Sequence, residues 1–289
     1  MHQVWAKGIL SAENNMNLYR GCTHGCIYCD SRSACYHMNH AFEDIEVKIN
    51  APELLRDALK RKKQKCVITT GSMSDPYMPL EKETGLTRKC LEIIRDMGFG
   101  LAIQTKSDLI LRDVELLKSI HQNCKCTAQI TLTTMDEALC RVVEPHVCGT
   151  KRRLEVLEAL HSAGIPTVVW LTPLLPFIND TKENLLSLLE GCRRAGVYGV
   201  VAFGLGLTLR EGSRDYYYQQ LDQYFPGLKE RYIKTYRNAY LLPVPEENAL
   251  FSLLRETCDR YGIKWKTDEV FSFMRQLNAP PPGEQISFF

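Results

Sequence analysis

The sequence lacks any long apolar segment. No stretch approaches the roughly eighteen consecutive apolar residues that a membrane-spanning helix requires. The opening residues, MHQVWAKGILSAENN, also lack the apolar region of a secretion signal. These two absences predict a cytoplasmic protein with no membrane partner.

An excess of charge of one sign is lacking as well. The 36 basic and 34 acidic residues leave a formal net charge of only +2, which excludes a histone-like binder but allows a local basic patch. Hydrophobic residues make up 45% of the chain and charged residues 24%, as in ordinary globular proteins. The 289 residues suffice for one sizeable core, or one core with an appendage.

Cysteine, by contrast, is abundant, with twelve residues. Because a reducing compartment disfavours disulfides, these cysteines serve metal binding, catalysis or core packing. Those within apolar periodicities are predicted core residues: Cys66, Cys90, Cys192 and Cys258. A C-x-C pair followed by long gaps matches no tight ligand loop, although it could in principle hold a second metal: Cys124, Cys126, Cys140 and Cys148. The tight spacing is confined to an early triplet.

The distribution of apolar residues predicts the fold class. β-Branched apolar runs alternate with helical patterns, and runs such as AQITLTT and TVVWLT are typical of parallel strands buried on both faces. The candidate strands are residues 17–20, 66–70, 101–105, 127–133, 167–172 and 198–204. Strands joined by helical crossovers predict a parallel α/β fold, either an open sheet or an incomplete barrel.

The pattern changes after about residue 212. The stretches DYYYQQLDQYF and ALFSLLRETCDRYG predict helices, and the prolines of NAPPPGEQISFF predict an extended tail. We therefore expect a barrel unit over residues 1–211 and a mostly helical C-terminal extension packed on it over 212–278. A flexible tail over 279–289 completes the predicted organisation.

The stretch GCTHGCIYCD places Cys22, Cys26 and Cys29 in a C-x3-C-x2-C array, with Gly21 and Gly25 relaxing the backbone between them. One interpretation is a structural zinc site of the Cys3His type, completed by His24, His37 or His40. Electron-carrying ferredoxin clusters use four thiolates instead. Three thiolates on a four-iron cube would leave one iron open to a substrate or cofactor. The triplet follows the first predicted strand, at the end where α/β barrels place their chemistry.

This cysteine spacing, with the aromatic Tyr28 before the third cysteine, resembles the radical S-adenosylmethionine (SAM) superfamily. The resemblance implies a partial (β/α)6 TIM-type barrel and a [4Fe-4S] cluster held by Cys22, Cys26 and Cys29. It also implies that SAM chelates the fourth iron and is cleaved reductively to a 5′-deoxyadenosyl radical, which abstracts hydrogen from a substrate. An electron donor such as flavodoxin or ferredoxin would reduce the cluster.

Longer stretches resemble the family related to spore photoproduct lyase, described as DNA repair photolyase-like. They are NLYRGCTHGCIYCDSRS, TGSMSDPYMPLE, QTKSDLILRDVELL, ITLTTMDEALCRVVEP and GIPTVVWLTPLLPFIND. The resemblance implies a set of SAM contacts: Tyr28 at the adenine, Ser72, Ser74 and Asp75 at the methionine moiety, Lys106 at the carboxylate, and Thr131 and Thr133 at the ribose or amino acid.

The sequence departs from the lyases at one place. They carry a cysteine just before the Thr-Ser-Asp that ends their second strand, and it returns a hydrogen atom to the product radical. Here Gly71-Ser72-Met73-Ser74-Asp75 holds no thiol. This puts the lyase reaction in doubt and leaves Cys140 and Cys148 as candidate donors.

Two segments favour a nucleic acid partner. Residues 229–240 interleave basic residues with tyrosines, which could follow a phosphate backbone or belong to an amphipathic helix packed on the barrel. The final Gln285-Ile286-Ser287-Phe288-Phe289 resembles the peptide with which bacterial repair proteins dock on the DNA sliding clamp. The leading hypothesis is a radical SAM enzyme acting on DNA. The alternatives are a small-molecule, peptide or RNA substrate, and a non-catalytic metal-stabilised module recruited to DNA complexes.

Overall fold

Six short, apolar strands form the central sheet of the computed structural model, which describes residues 1–278. The sheet order is β2-β5-β6-β7-β8-β9, and every neighbouring pair is parallel. The strands of the chain are β1 His2–Val4, β2 Asn15–Met16, β3 Tyr19–Arg20, β4 Glu46–Lys48, β5 Val67–Thr70, β6 Gly100–Thr105, β7 Cys126–Thr131, β8 Thr167–Trp170, β9 Gly199–Val201, β10 Gly206–Thr208 and β11 Leu241–Pro243. The sheet is open, with β2 and β9 at its edges.

Helices connect consecutive strands of this sheet, as parallel pairing requires. The helices within residues 1–278 are α1 Ala51–Lys60, α2 Glu81–Thr84, α3 Leu86–Asp96, α4 Val114–Asn123, α5 Glu137–Val143, α6 Thr150–Ser162, α7 Lys182–Arg194, α8 Ser213–Tyr224, α9 Leu228–Tyr236, α10 Glu247–Tyr261 and α11 Thr267–Arg275, of which α8 to α11 follow the last strand of the sheet. None of these described helices combines the length and apolar character needed to cross a bilayer.

Burial explains why the strands are so apolar. Ile68, Leu101, Ile103 and Ile130 are all fully buried, because helices cover the sheet. Each such side chain contributes about 1.5–3 kcal/mol relative to an exposed position. The parallel α/β prediction is confirmed.

The strand boundaries differ from those predicted by one or two residues in most strands and by more in the first and the last. Tyr19–Arg20, within the predicted first strand, pairs antiparallel with β4 in a separate sheet of order β1-β4-β3, and the sheet strand is Asn15–Met16. β9 ends at Val201 rather than at residue 204, which leaves Phe203 beyond the strand. Ala202, directly after this strand, is still buried, whereas Phe203 is exposed.

The last two helices, α10 and α11, pack at the β9 side of the sheet. α10 packs on α7, α11 packs on β9, and Lys264 makes a parallel bridge with Gly199. The predicted stacking segment at 229–240 is largely helix α9, whose Tyr232 is fully buried with its hydroxyl donating to the carbonyl of Pro176 at 2.6 Å. That tyrosine therefore serves packing and not base stacking. The predicted clamp-binding peptide lies outside the described residues.

Candidate active site

A cavity of about 430 Å³ opens at the carboxyl ends of the central strands. Such ends are where parallel α/β folds bind ligands, because the strand-to-helix loops converge there. Among the predicted site residues, those that line it are Cys22, Cys26, Tyr28, Cys29, Ser72, Ser74, Asp75, Lys106 and Thr131. Thr133 is the exception, since it is fully buried behind the wall and its carbonyl accepts bonds from Asn179 and Asn184.

The cysteine loop is shaped by two glycines with positive φ, Gly21 (89°) and Gly25 (70°). A Cβ at Gly21 would lie 2.3 Å from the carbonyl oxygen of Phe42, so no larger residue fits there. The Cys22 amide donates to that same carbonyl at 3.2 Å. The loop is thus anchored at the first cysteine, and both glycines adopt the relaxed backbone that the sequence predicted.

The three thiols suit a multinuclear centre. Burial raises the pKa of Cys22 to about 12 and raises that of Cys26 as well, so both thiolates need a cationic partner to form. A tetrahedral zinc ion with bonds of about 2.3 Å would hold its sulfurs about 3.8 Å apart. Within residues 1–278, however, three ligand atoms mutually within 4.8 Å occur at His2, His40 and Asp44 and not at the cysteines. The residues present therefore fit a cluster better than a single zinc ion.

Asp75 organises the polar floor of the cavity. Its carboxylate accepts bonds from the Thr105 hydroxyl at 2.6 Å and from the backbone amides of Lys106 and Tyr77 at 2.8 and 2.9 Å. His24 Nδ1 lies 3.4 Å from it, and burial lowers the pKa of that imidazole. Asp75 thus fixes the end of β6, where Lys106 emerges.

Lys106 supplies the positive charge of the cavity. Burial opposes its charge, but the negative groups of Cys26, Glu144 and Asp75 outweigh burial and raise its pKa. Its ammonium lies 5.9 Å from the centre of the Tyr28 ring. A charged lysine beside three thiols suits an anionic group of a bound cofactor.

The hydroxyl groups of the site differ in availability. Ser74 donates to the carbonyl of Tyr19 at 2.8 Å, and Ser72 accepts from the side chain of Asn15 at 2.9 Å. Thr131 lines the cavity, and its buried hydroxyl has no hydrogen-bond partner among the described residues. A buried hydroxyl without a partner is destabilising, so Thr131 is well placed to bond a ligand.

A buried ion pair behind the cysteine loop was not predicted. Glu144 accepts bonds from the Tyr28 hydroxyl and from Arg153 Nη2, the latter at 2.5 Å. Arg153 also donates to the carbonyls of Thr131 at 2.7 Å and Cys148 at 3.0 Å. The pair therefore ties the cysteine loop to the end of β7. The sequence did contain a signal: Arg153 shares the helical stripe of Leu157 and Leu160, which are both buried.

An aromatic wall was also not predicted. The Trp170 ring, which lines the cavity, packs edge-on against Phe203 at 5.4 Å, and Phe203 stacks on Phe271 at 5.8 Å. Phe203 and Leu241 line the cavity although 53% and 54% of their surfaces are exposed. Phe203 falls within the predicted buried strand 198–204, so its exposure at the cavity mouth was not expected from the sequence.

The two candidate hydrogen donors lie outside this cavity. Cys140 is buried, with its sulfur 3.0 Å from Arg153 Nη2, and Cys148 donates to the Lys106 carbonyl at 3.3 Å from behind the wall. Neither sulfur lines the cavity. Cys35, the next thiol after the triplet, is exposed and contacts Arg210.

An open parallel sheet that gathers three cysteines, a lysine and a ligand-sized cavity at its carboxyl edge defines an enzyme that works with a metal cluster and an organic cofactor. The chain belongs to the radical SAM superfamily, since the family model "Radical SAM superfamily" matches residues 16–189. It is therefore an enzyme of that class, and membership implies SAM and an iron–sulfur cluster.

Individual relatives agree with this assignment. An uncharacterized protein of Mycobacterium tuberculosis is 30% identical over 257 residues, covering 84% of this chain and 75% of that protein. An uncharacterized protein of Methanocaldococcus jannaschii is 33% identical over 176 residues, covering 60% and 65%. A solved spore photoproduct lyase variant with bound AdoMet and dinucleoside spore photoproduct has a TM-score of 0.64 at 16% identity, covering 86% and 74%. That likeness shows a shared fold.

Proposed function

We propose that Cys22, Cys26 and Cys29 hold a [4Fe-4S] cluster whose fourth iron binds SAM, and that the enzyme acts on a nucleic acid. The proposal rests on one observation: three thiols, and no fourth within the described residues, line the same cavity as Lys106 and an exposed aromatic wall. When bound, the cluster and SAM supply the 5′-deoxyadenosyl radical that abstracts a hydrogen atom from the substrate. The chain's own residues bind and orient both molecules.

The cofactor contacts follow from charge and availability. Lys106 would pair with the SAM carboxylate, and the unpaired Thr131 hydroxyl would bond the ribose or the amino acid. Tyr28, Ser72, Ser74 and Asp75 would border the adenine and methionine parts. Thr133 would act indirectly, through the position of Thr131 two residues earlier.

Replacing Lys106 with methionine is expected to weaken SAM binding about 10- to 100-fold, because hydrogen bonds to charged groups contribute about 1.5–3 kcal/mol. The measurement is the KM for SAM in anaerobic 5′-deoxyadenosine formation. Lys125→Met is the matched control, since Lys125 is a buried lysine that precedes β7 at the opposite end of the sheet. Equal KM values in the two variants would exclude Lys106 as the carboxylate partner.

The aromatic wall supports a nucleic acid substrate. Exposed aromatic faces at a cavity mouth are suited to stack a base that has been turned out of its helix. Arg210 lies beside the cavity, with its Nε 3.5 Å from the carboxylate of the lining residue Asp30, and donates to the Tyr240 hydroxyl at 2.8 Å. Its guanidinium can meet a phosphate. The similarly folded lyase carries a dinucleoside photoproduct in its structure. Because no candidate donor thiol lines the cavity, we do not propose the lyase reaction itself.

Replacing Phe203 with alanine is expected to raise the KM for an irradiated oligonucleotide about 5- to 100-fold, since stacking on an aromatic side chain contributes about 1–3 kcal/mol per base. SAM cleavage without oligonucleotide should be unchanged. The readout is 5′-deoxyadenosine formed with irradiated DNA, undamaged DNA or RNA. Phe273→Ala is the control, because Phe273 stacks on Tyr198 and does not line the cavity.

One result would contradict the proposal of a nucleic acid substrate. If neither DNA nor RNA stimulates turnover, and their binding shows no dependence on salt, a small molecule or peptide becomes the better hypothesis. Docking on a sliding clamp through Gln285 to Phe289 and electron delivery by a flavodoxin or ferredoxin stay predictions from the sequence.

A further inference from the structure

A second cluster of metal-ligating side chains lies apart from the cavity. A ring nitrogen of His2, a ring nitrogen of His40 and a carboxylate oxygen of Asp44 lie within 4.8 Å of one another. His2 belongs to β1, and the other two lie in the loop between the cysteine segment and β4. His2 Nδ1 is 3.0 Å from Asp44 Oδ2, and the other Asp44 oxygen is 2.8 Å from the Met1 amine.

The hydrogen bonds of His40 fix which of its nitrogens can bind a cation. His40 Nδ1 lies 3.0 Å from the carbonyl oxygen of Ala41, and a carbonyl only accepts. In the neutral imidazole this bond places the proton on Nδ1 and leaves the lone pair on Nε2. That Nε2 is buried and has no hydrogen-bond partner among the described residues. Metal-binding histidines characteristically donate their second nitrogen to a carbonyl or carboxylate in this way.

A fourth ligand is close by. Glu46 Oε2 lies 3.8 Å from His40 Nε2, and Glu46 is the register partner of His2 in the parallel β1–β4 pair. Glu46 is outside the set of atoms that lie mutually within 4.8 Å, so its carboxylate would have to move toward the other three ligands, which a tetrahedral zinc ion with bonds of about 2.0–2.1 Å separates by about 3.3 Å. Two imidazoles suit zinc better than calcium or magnesium, which prefer oxygen.

We propose that His2, His40, Asp44 and Glu46 form a structural Zn²⁺ site, separate from the cysteine centre. The two carboxylates neutralise the ion, and the four protein ligands leave no position for substrate. The site joins strand β1 to the loop that contains Phe42. The Phe42 carbonyl accepts a hydrogen bond from the Cys22 amide. Bound zinc would therefore hold in place the loop that anchors the first cysteine. This inference is independent of the proposed reaction.

The test uses the full chain with its iron–sulfur cluster reconstituted, so that the cysteines are occupied. After chelator treatment and gel filtration, Zn²⁺ is titrated anaerobically in competition with a chromogenic chelator, and zinc and iron are counted in each sample. One zinc per chain is expected, and His40→Gln and Asp44→Asn should each bind it at least about 10-fold more weakly. Wild-type protein should also gain thermal stability on zinc addition.

The matched control is His37→Asn. His37 is exposed nearby and has a left-handed backbone (φ 51°), a conformation that asparagine tolerates. Its variant should keep wild-type zinc affinity. The proposed zinc site would be contradicted if His40→Gln and Asp44→Asn both bound zinc with unchanged affinity. It would also be contradicted if the iron-loaded wild-type protein bound no zinc in the titration. Using two ligand variants protects the test from the misfolding of either one.

Discussion

Cys26→Ala protein is expected to form no 5′-deoxyadenosine above background when it is reconstituted with iron and sulfide and given SAM and dithionite. Cys26 is buried at the cavity, where burial raises its pKa and makes a free thiolate costly. Losing even an outer-shell partner of a metal ligand reduces affinity or activity about 10- to 100-fold, so loss of a ligand should exceed 100-fold. Iron analysis and anaerobic product detection measure both effects together.

Cys35→Ala is the matched control for this experiment. Cys35 is exposed and contacts Arg210 outside the cavity, so its loss should leave iron content and turnover close to wild type. The expected wild-type composition is four irons and four sulfides per chain. Wild-type protein containing one zinc and no iron, or equal activity in the two variants, would contradict the assignment of the triplet as the radical-generating centre.

Arg153→Met is expected to reduce the free energy of unfolding by about 3–5 kcal/mol, because it leaves the buried charge of Glu144 without its partner. Arg153 and Glu144 are 0% and 1% exposed. Since single domains are stable by only about 5–15 kcal/mol, such a loss is severe. Anaerobic denaturant unfolding of the cluster-free chain measures this loss of stability. The amount of cluster that the holoprotein keeps shows whether the cysteine loop has become less firmly held.

The neighbouring residue provides the control. Arg152 has a side chain that is 46% exposed and pairs with Asp108 and Glu155 at the surface. Arg152→Met should change stability by less than about 0.5 kcal/mol, as surface ion pairs do. The double variant Glu144→Gln/Arg153→Met should be less destabilised than the sum of its single variants. Additive losses would show that the two side chains do not act as a pair.

The pH dependence provides a further readout of the same pair. Burial raises the pKa of Glu144, but the charges of Arg153 and Lys106 and the bonds from Arg153 and Tyr28 outweigh it and hold the pKa below its usual value. The stabilisation is therefore complete above about pH 4.3, the ordinary glutamate pKa, and is lost as the pH falls through the lower folded-state pKa. Glu144→Gln should lack this part of the acid sensitivity.

Two predictions from the sequence, the end of the last sheet strand and the role of residues 229–240, differ from the structure for physical reasons. Phe203 continued an apolar run, and a run cannot show whether its last residue pairs in a sheet or turns toward solvent. The 229–240 segment combined basic residues and tyrosines, yet Tyr232 is buried and Tyr240 is half exposed beside Arg210. Tyr232 lies on the face of α9 that points into the core. Tyr240 follows the end of that helix and is therefore more exposed. Composition alone does not separate these outcomes.

The parallel α/β class, the cysteine triplet and the radical SAM family were all predictable from consecutive residues, because strand burial and thiolate spacing are local properties. Which residues meet across the chain depends instead on the tertiary structure. Glu144 with Arg153, Trp170 with Phe203 and Phe271, and His2 with His40 come together through strand order and loop paths. Those contacts depend on long-range packing, which leaves little trace in the spacing of neighbouring residues.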